Sequence, residues 1–159
     1  MSEKATFGAG CFWGVEMRFR EMDGVIDATV GYMGGHVEQP TYKQVCSDKT
    51  GHAEVCQVVF DPERIGYEKL VRAFFELHDP TQVNRQGPDR GRQYRSVVFA
   101  HDDGQSQVAE RVKAELDASG RYRAPIATSI EPVATFWPAE DYHQQYLAKN
   151  GGSCSISGH

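Results

Sequence analysis

The chain has 159 residues, 40% of them hydrophobic and 25% charged, and a formal net charge of -5. This length and composition predict one globular domain over residues 1–159, and the negative charge argues against a protein that binds nucleic acid electrostatically. No apolar run is long enough for a membrane span or an export signal, so we expect a cytoplasmic protein that binds neither nucleic acid nor membrane.

Apolar residues and turn residues follow one another along the chain with the periods of strands and helices. The first six predicted elements have the order β-α-β-β-α-β of a split βαβ unit. We therefore expect an α+β fold, a two-layer sandwich with a ferredoxin-like core and a long irregular C-terminal tail at 150–159. The pattern predicts strands at 5–10, 25–35, 53–62 and 94–101, a broken strand at 126–137 that Pro132 interrupts, and helices at 11–22, 67–78, 104–120 and 139–150.

One predicted connection is unusually long and rich in turn residues. It runs from Asp79 to Gln93, with the sequence DPTQVNRQGPDRGRQ. Loops of this length inside a compact domain are usually functional or disordered. The loop is therefore a candidate part of a site, although solvated arginines alone would also explain its composition.

Cys11 lies where the first predicted strand gives way to the first predicted helix, in the motif GCFWG. Free N–H groups and the positive end of the helix dipole lower the pKa of a thiol at such a position and favour the nucleophilic thiolate. A buried cysteine with only a packing role is the alternative. In a reducing cytoplasm, the four cysteines are expected to be thiols, for which catalytic or redox roles are open, rather than a disulfide framework.

Phe12 and Trp13 follow this cysteine directly. Neighbouring residues on a helix project about 100° apart, so the two rings cannot both face the same core. We expect one of them to line an apolar pocket beside the thiol. Such a pocket suits a methyl group on sulfur, because aromatic rings make favourable contacts with groups of this kind.

His52 and Glu54 form an H-x-E pattern, which is half of the zinc deaminase signature. The other half, P-C-x-x-C, is absent from the sequence, and Cys46, His52 and Cys56 do not have the usual zinc spacing. We therefore expect no metal, and structural roles for Cys46 and Cys56. Glu54 begins an apolar strand, where burial would raise the pKa of its carboxyl and make it a proton donor near neutral pH; a solvated glutamate at a strand end is the alternative.

Five motifs of the sequence, taken together, resemble those of the type A peptide methionine sulfoxide reductases. They are GCFWG, GYMGG, TGHAE, GPDRGRQYRS and AEDYHQQYL, and they run in order from Gly10 to Leu147. Enzymes of this type reduce methionine sulfoxide to methionine. The resemblance implies an oxidoreductase specific for the S epimer of the sulfoxide, with no bound cofactor and with thioredoxin as the reductant.

On the oxygen side of the substrate, the resemblance implies roles for four residues. Tyr42 and Tyr94 match the tyrosines that hydrogen-bond the sulfoxide oxygen, and Glu54 matches the acid that protonates it. Asp89 matches the aspartate that orients the substrate or a bound water. Two of the four, Asp89 and Tyr94, would make the long connection and the residue that follows it part of the active site.

On the sulfur side, the resemblance implies that Cys11 is the nucleophile and that Phe12 and Trp13 hold the S-methyl group. A sulfenic acid formed on Cys11 would condense with Cys154, the recycling thiol of the tail, to a disulfide that thioredoxin reduces. Cys46 is the second candidate for this step, because it lies close in sequence to one of the two tyrosines. The tail departs from many relatives, since it has a single cysteine without the aromatic neighbour often found there.

Two other classes of function remain open from the sequence. A different cysteine enzyme, such as a thiol hydrolase, would need a histidine base beside Cys11, and His52 or His143 would have to supply it. A non-enzymatic redox sensor would need only Cys11 and Cys154, and it gives no reason for two tyrosines and a glutamate. For the oligomeric state, a monomer is the simplest expectation.

Overall fold

The computed structural model describes residues 2–47 and 49–144 of the chain. Three of the predictions lie outside these residues: the tail at 150–159, its cysteine Cys154, and the second half of the helix predicted at 139–150. None of the helices within the described ranges is long and apolar enough to cross a membrane.

The described part of the chain contains eight strands and four helices, together with single turns of 3-10 helix at Arg92–Tyr94 and Asp141–His143. The strands are β1 (Glu3–Ala9), β2 (Val25–Met33), β3 (Ala53–Phe60), β4 (Arg85–Gln86), β5 (Asp89–Arg90), β6 (Ser96–Ala100), β7 (Ser129–Pro132) and β8 (Trp137–Pro138). The helices are α1 (Phe12–Arg20), α2 (Tyr42–Cys46), α3 (Tyr67–Glu76) and α4 (Asp103–Ala118).

Six of these strands form one sheet in the order β7-β6-β1-β3-β2-β8. β3 lies between β1 and β2 and is antiparallel to both, so an inserted strand splits the β1-α1-β2 unit. β6 pairs with the other side of β1, and β7 and β8 extend the two edges. The predicted α+β fold with a split βαβ core is therefore confirmed.

The main hydrophobic core fills the space between this sheet and the three longer helices. Alternate residues of β1 point into it, and the ring of Phe7 lies 5.1 Å from that of Phe19 on α1 and 5.2 Å from that of Phe74 on α3. α4 adds Val112 to the same core, as the helical spacing predicts. Burying one such side chain stabilises the fold by about 1.5–3 kcal/mol. Because many side chains are buried in this way, the sheet is a stable support for the segments that connect its strands.

A short helix, α2, lies between β2 and β3, where the sequence analysis predicted none. It begins with a capping box: the Thr41 hydroxyl accepts a hydrogen bond from the Gln44 N–H at 3.2 Å, and the Gln44 side chain accepts one from the Thr41 N–H at 2.9 Å. The T-x-x-Q spacing is a recognised start signal for a helix and could have revealed α2. The box sets the position of Tyr42, the first residue of the helix.

The broken strand predicted at 126–137 is two separate strands on opposite edges of the sheet. β7 pairs with β6 and ends at Pro132, whereas β8 pairs with β2. Gly31 on β2 makes room for β8, because a Cβ at that position would lie 2.4 Å from the backbone oxygen of Trp137. A glycine within β2 therefore allows the later segment to reach this edge.

The helix predicted at 139–150 is wrong in its described part. The chain leaves β8 through one 3-10 turn, and Gln144 is already extended, with φ −67° and ψ 123°. The Gln144 side chain accepts a hydrogen bond from the Val30 N–H at 3.0 Å and donates one to the Val30 carbonyl at 2.9 Å. Pairing with the edge of β2 thus outweighs the helical propensity of the segment.

The long connection between α3 and β6 is held at its ends and in its middle. The hydroxyl of Ser96 donates to Nε2 of His78 at 2.7 Å, which joins the residues on either side of the loop. Gln86 and Asp79 exchange two hydrogen bonds of 2.9 Å between side-chain amide and backbone, and β4 pairs with β5. These bonds fix the position of Asp89, the first residue of β5.

The buried imidazole of His78 generates a testable pH dependence of stability. Burial lowers the pKa of His78 from 6.5 to about 4, so between these values the unfolded chain binds a proton that the folded chain does not. The free energy of unfolding must therefore fall as the pH falls, and we expect His78 to remove about 2 kcal/mol between about pH 7 and pH 5. Urea unfolding at both pH values measures this loss of unfolding free energy. The His78→Gln variant should lack the part of the loss that His78 causes. Equal pH dependence in the two proteins would contradict the expectation.

Candidate active site

Cys11 is the residue that caps the N-terminus of α1. Gly10, at φ +95°, turns the chain from β1 towards the helix through a backbone conformation that residues with a side chain rarely adopt. Cys11 has φ −58° and ψ 119° and is 7% exposed. α1 therefore begins at Phe12, one residue later than predicted, and the N–H groups that have no carbonyl partner within the helix start directly after Cys11.

Glu54 reaches the same point from β3. The last residue pair of the β1–β3 register is Phe7 opposite Cys56. Glu54 lies two residues before Cys56 in β3 and therefore on the same face of the sheet. The Glu54 side chain is 1% exposed, and its Oε1 accepts a hydrogen bond from the Phe12 N–H at 3.3 Å. The carboxyl thus lies in the interior beside the residue that follows Cys11, and not in water at a strand end.

Phe12 and Trp13 have different surroundings, as their spacing on the helix requires. Phe12 is fully buried, with its ring centroid 5.8 Å from that of Tyr32 and 6.3 Å from that of Tyr42. Trp13 is partly exposed and packs against the same cluster, 6.4 Å from the Tyr42 ring. Trp13 therefore leaves part of its ring accessible next to Cys11, while Phe12 anchors the start of α1.

His143, on the second 3-10 turn, holds the indole of Trp13. The indole N–H donates a hydrogen bond to Nδ1 of His143 at 3.0 Å, so Nδ1 accepts and carries no proton. The ring of His143 is 1% exposed and lies 4.3 Å from the ring of Tyr42. Burial lowers the pKa of His143 and outweighs the opposing effect of Glu140, which keeps the imidazole neutral. Its accepting nitrogen is thus occupied by Trp13.

His52 is engaged with the backbone on both sides of its ring. Nδ1 accepts a hydrogen bond from the Gly35 N–H at 3.0 Å, and Nε2 donates one to the Val37 carbonyl at 2.7 Å. The histidine thereby supports the segment between β2 and α2. Within residues 2–47 and 49–144, no group of three His, Cys, Asp or Glu side chains is placed to hold a metal ion.

Tyr42 lies within electrostatic reach of the carboxyl of Glu54. Burial raises the pKa of Tyr42 above its ordinary value, and the negative charge of Glu54 and a hydrogen bond with Cys46 raise it further. The hydroxyl therefore keeps its proton at neutral pH. Tyr42 is consequently a neutral hydrogen-bond donor at the point where β3 meets α1.

Tyr94 approaches the same carboxyl from the end of the long connection. Burial raises the pKa of Tyr94, and the charges that raise it further are those of Glu54, Cys46, Asp89 and Cys11, in decreasing order. The phenol therefore lies within electrostatic reach of the thiol and of both carboxyls. These charges, too, oppose ionisation of the hydroxyl.

The two cysteines that were expected to be structural have different positions. Cys56 is fully buried in the main core, as expected. Cys46, at the end of α2, is exposed and forms side-chain hydrogen bonds with Tyr42 and Tyr94. Partial desolvation raises the pKa of the Cys46 thiol, and the two tyrosines offset only part of this rise. Cys46 therefore belongs to the site.

Similarity to known proteins identifies the family. A profile of the peptide methionine sulfoxide reductase family matches residues 3–158, which is almost the entire chain. The chain belongs to the peptide methionine sulfoxide reductase family. The family predicted from the five motifs is thereby confirmed, and the chain is an oxidoreductase.

Relatives of this reductase are similar over most of their length. Two relatives carry the name peptide methionine sulfoxide reductase MsrA. The protein from Methanothermobacter thermautotrophicus is 60% identical over 93% of this chain and 88% of the relative. The protein from Acidobacterium capsulatum is 56% identical over 96% of this chain and 99% of the relative. Among solved structures, Mxr1 from Saccharomyces cerevisiae in reduced form has a TM-score of 0.92 at 40% identity, over 99% of this chain and 91% of Mxr1. Mxr1 in complex with Trx2 has a TM-score of 0.66 at 29% identity, over 98% of this chain and 87% of Mxr1.

The candidate site contains Glu140, which the sequence analysis did not name, and His143, which it named only as a base for a thiol hydrolase. His143 and Glu140 contact its aromatic residues, and both lie in the motif AEDYHQQYL, so the motif was the only local signal for them. Cys154 lies outside the described residues. The predicted site residues that the fold brings together are Cys11, Phe12, Trp13, Tyr42, Glu54, Asp89 and Tyr94.

Proposed function

We propose that this reductase converts methionine S-sulfoxide, free or within proteins, to methionine, with Cys11 as the nucleophile and thioredoxin as the final reductant. One observation carries the proposal: the buried carboxyl of Glu54 accepts a hydrogen bond, at 3.3 Å, from the N–H of the residue that follows Cys11. Reduction of a sulfoxide by a thiol needs an acid beside the nucleophile, and this contact supports that arrangement of Glu54 and Cys11.

The oxygen of the sulfoxide is the difficult leaving group in this reaction. It would depart as a strongly basic anion, so it must gain a proton while the thiolate approaches sulfur. Burial of Glu54 penalises the charged form of its carboxyl and favours the protonated acid that can supply this proton. Tyr42 and Tyr94 stay neutral and donate hydrogen bonds to the developing charge, and Asp89 orients the substrate or a bound water.

The sulfur of the substrate meets Cys11 at the start of α1. The helix N-terminus favours the thiolate, which is the nucleophilic form. Phe12 and Trp13 form the apolar wall that receives the S-methyl group, with the indole held by its hydrogen bond to His143. A ring fixed in this way selects for a small group on sulfur and holds the sulfoxide in one orientation.

The redox steps balance without a bound cofactor. The Cys11 thiolate forms a bond to the sulfoxide sulfur, and the S–O bond breaks as the oxygen takes up two protons, one of them from Glu54, and leaves as water. Water then attacks the Cys11 sulfur and loses a proton, the bond between the two sulfurs breaks, and methionine and a sulfenic acid on Cys11 result; two electrons have passed from Cys11 to the substrate. The thiol of Cys154 then attacks the sulfenic sulfur, a disulfide forms and water leaves. The dithiol of thioredoxin reduces this disulfide by exchange and restores both thiols. A complex of the yeast relative Mxr1 with Trx2 supports this last step.

Cys46 is the other thiol that could resolve the sulfenic acid. Its pKa is raised, so a smaller fraction of it is thiolate at neutral pH, and an attacking thiol reacts through its thiolate. Cys154 is therefore the preferred resolving thiol, although it lies outside the described residues.

The two rival functions find less support in the site. A thiol hydrolase needs a histidine base at Cys11, yet His143 accepts from Trp13 and both nitrogens of His52 bind backbone. A simple redox sensor does not require an enclosed acid with two phenols around it. A cytoplasmic location, a monomeric state and a single catalytic domain with a recycling tail stay predictions.

The main test uses racemic methionine sulfoxide with dithiothreitol as the reductant and chiral analysis of the remaining sulfoxide. We expect the S epimer to disappear and the R epimer to remain. Cys11→Ser should abolish the reaction because it removes the nucleophile, whereas Cys56→Ala, which changes a thiol in the main core, should not. Activity that survives in Cys11→Ser would refute the proposal, as would consumption of the R epimer alone.

Replacement of the acid tests the role of Glu54. Glu54→Gln keeps the shape and an acceptor for the Phe12 N–H but cannot give up a proton, so methionine formation in a single turnover should slow by about a hundredfold or more. The wild-type rate should fall on the alkaline side as the acid ionises, and the variant should lack this fall. Glu110→Gln, on the exposed face of α4, is the matched control. Identical pH–rate profiles for Glu54→Gln and wild type would rule out the acid.

The resolving thiol is identified by a pair of substitutions. Cys154→Ser should release one methionine per protein molecule and then stall when thioredoxin is the reductant, because the sulfenic acid has no partner thiol. Cys46→Ser should continue through many turnovers. The opposite pattern, with Cys154→Ser turning over and Cys46→Ser stalling, would assign the step to Cys46.

A further inference from the structure

Glu140 lies between β8 and the 3-10 turn at 141–143, and each oxygen of its carboxyl accepts a hydrogen bond. Oε1 accepts from the hydroxyl of Tyr32 at 3.1 Å, and Oε2 accepts from the backbone N–H of Tyr42 at 3.0 Å. Tyr32 belongs to β2, and Tyr42 is the first residue of α2. One side chain therefore ties the start of α2 to the sheet.

The bond to Tyr42 acts on a backbone group that α2 itself cannot satisfy. The first N–H groups of a helix have no carbonyl partner within the helix. Thr41 accepts from the Gln44 N–H through the capping box, and Glu140 accepts from the Tyr42 N–H. The position of the Tyr42 backbone, and hence of its phenol, therefore depends on a residue from a distant part of the chain.

The same residue also begins the turn that supports the methyl-binding wall. The carbonyl of Glu140 accepts a hydrogen bond from the His143 N–H at 2.9 Å, and His143 accepts from the indole of Trp13 at 3.0 Å. Glu140 thus connects the phenol on the oxygen side of the site with the ring on its methyl side. The distance between these two sides decides how a sulfoxide fits.

The ionisation state of Glu140 suits it to accepting hydrogen bonds and not to giving a proton. Burial alone would raise the pKa of Glu140, but hydrogen bonds from the Tyr42 N–H, from its own N–H and from the Tyr32 hydroxyl bring it below the ordinary value. Both oxygens therefore act as acceptors at neutral pH. The carboxyl supports the site and leaves the proton transfer to Glu54.

We propose that Glu140 is a positioning residue of the reductase, which sets where the Tyr42 hydroxyl meets the sulfoxide oxygen by holding the Tyr42 backbone. The inference rests on the proposed function and extends it to a residue that acts through another. Small displacements of a catalytic group have large effects, since a shift of about 1 Å can cost about a hundredfold in rate.

The test compares Glu140→Leu in three backgrounds by the rate of methionine formation in a single turnover. Leucine has a similar size and removes both acceptors. In the wild-type background we expect a loss of about tenfold to a hundredfold, and the same loss in Tyr94→Phe, because Tyr94 belongs to another segment. In Tyr42→Phe the phenol is already gone, so Glu140→Leu should cost about twofold or less.

A purely structural role would lower the rate equally in all three backgrounds, and that result, or an unchanged rate in the wild-type background, overturns the inference. If circular dichroism shows that Glu140→Leu does not fold, Glu140→Gln replaces it, because an amide has one oxygen for two donors. A loss of about threefold is then expected in the wild-type and Tyr94→Phe backgrounds and a smaller loss in Tyr42→Phe. Wild-type activity on racemic sulfoxide separates the two claims. An inactive wild type refutes the proposed function, whereas an active wild type with equal losses refutes only the role of Glu140.

Discussion

The candidate site depends on one contact between the start of α1 and β3: the hydrogen bond from the Phe12 N–H to the carboxyl of Glu54. Pairing of β1 with β3 brings the end of β1, which Cys11 follows, against the start of β3, where Glu54 lies; these two residues are the proposed nucleophile and the proposed acid. Both strands are central in the sheet, so the carboxyl is enclosed. The same glutamate at an edge of the sheet would be solvated and ionised at neutral pH.

Other parts of the site come from segments that connect the main strands, and side-chain hydrogen bonds hold each of these segments. The capping box begins α2 and places Tyr42. The bond between His78 and Ser96 closes the long connection. The bonds between Gln144 and Val30 seat the last described turn on β2. Such supports matter because a reaction of this kind tolerates little displacement of its donors.

Two carboxyl groups of the site have environments that suit different tasks. Glu54 is almost completely enclosed, and two neutral phenols face it. Glu140 is partly exposed, and its hydrogen bonds from N–H and O–H donors stabilise the charged form. Enclosure suits Glu54 to its proposed role as acid, whereas the donors on both oxygens of Glu140 suit that carboxylate to its proposed role in positioning Tyr42. Separate environments for two similar groups are a common way to assign acid and structural roles within one site.

Local patterns determined much of this protein: the order of its main strands and helices, the thiol at a strand-to-helix junction, and the motifs that mark the family. These features depend on residues close together in sequence, whose periods and spacings can be read directly. The T-x-x-Q spacing of the capping box that begins α2 is also a local pattern. The tertiary structure alone decided that residues 139–144 follow the edge of β2 instead of forming a helix, and that His143 and Glu140 support the site. Hydrogen bonds such as those of Gln144 with Val30 join segments far apart in the chain, and therefore leave no local pattern in the sequence.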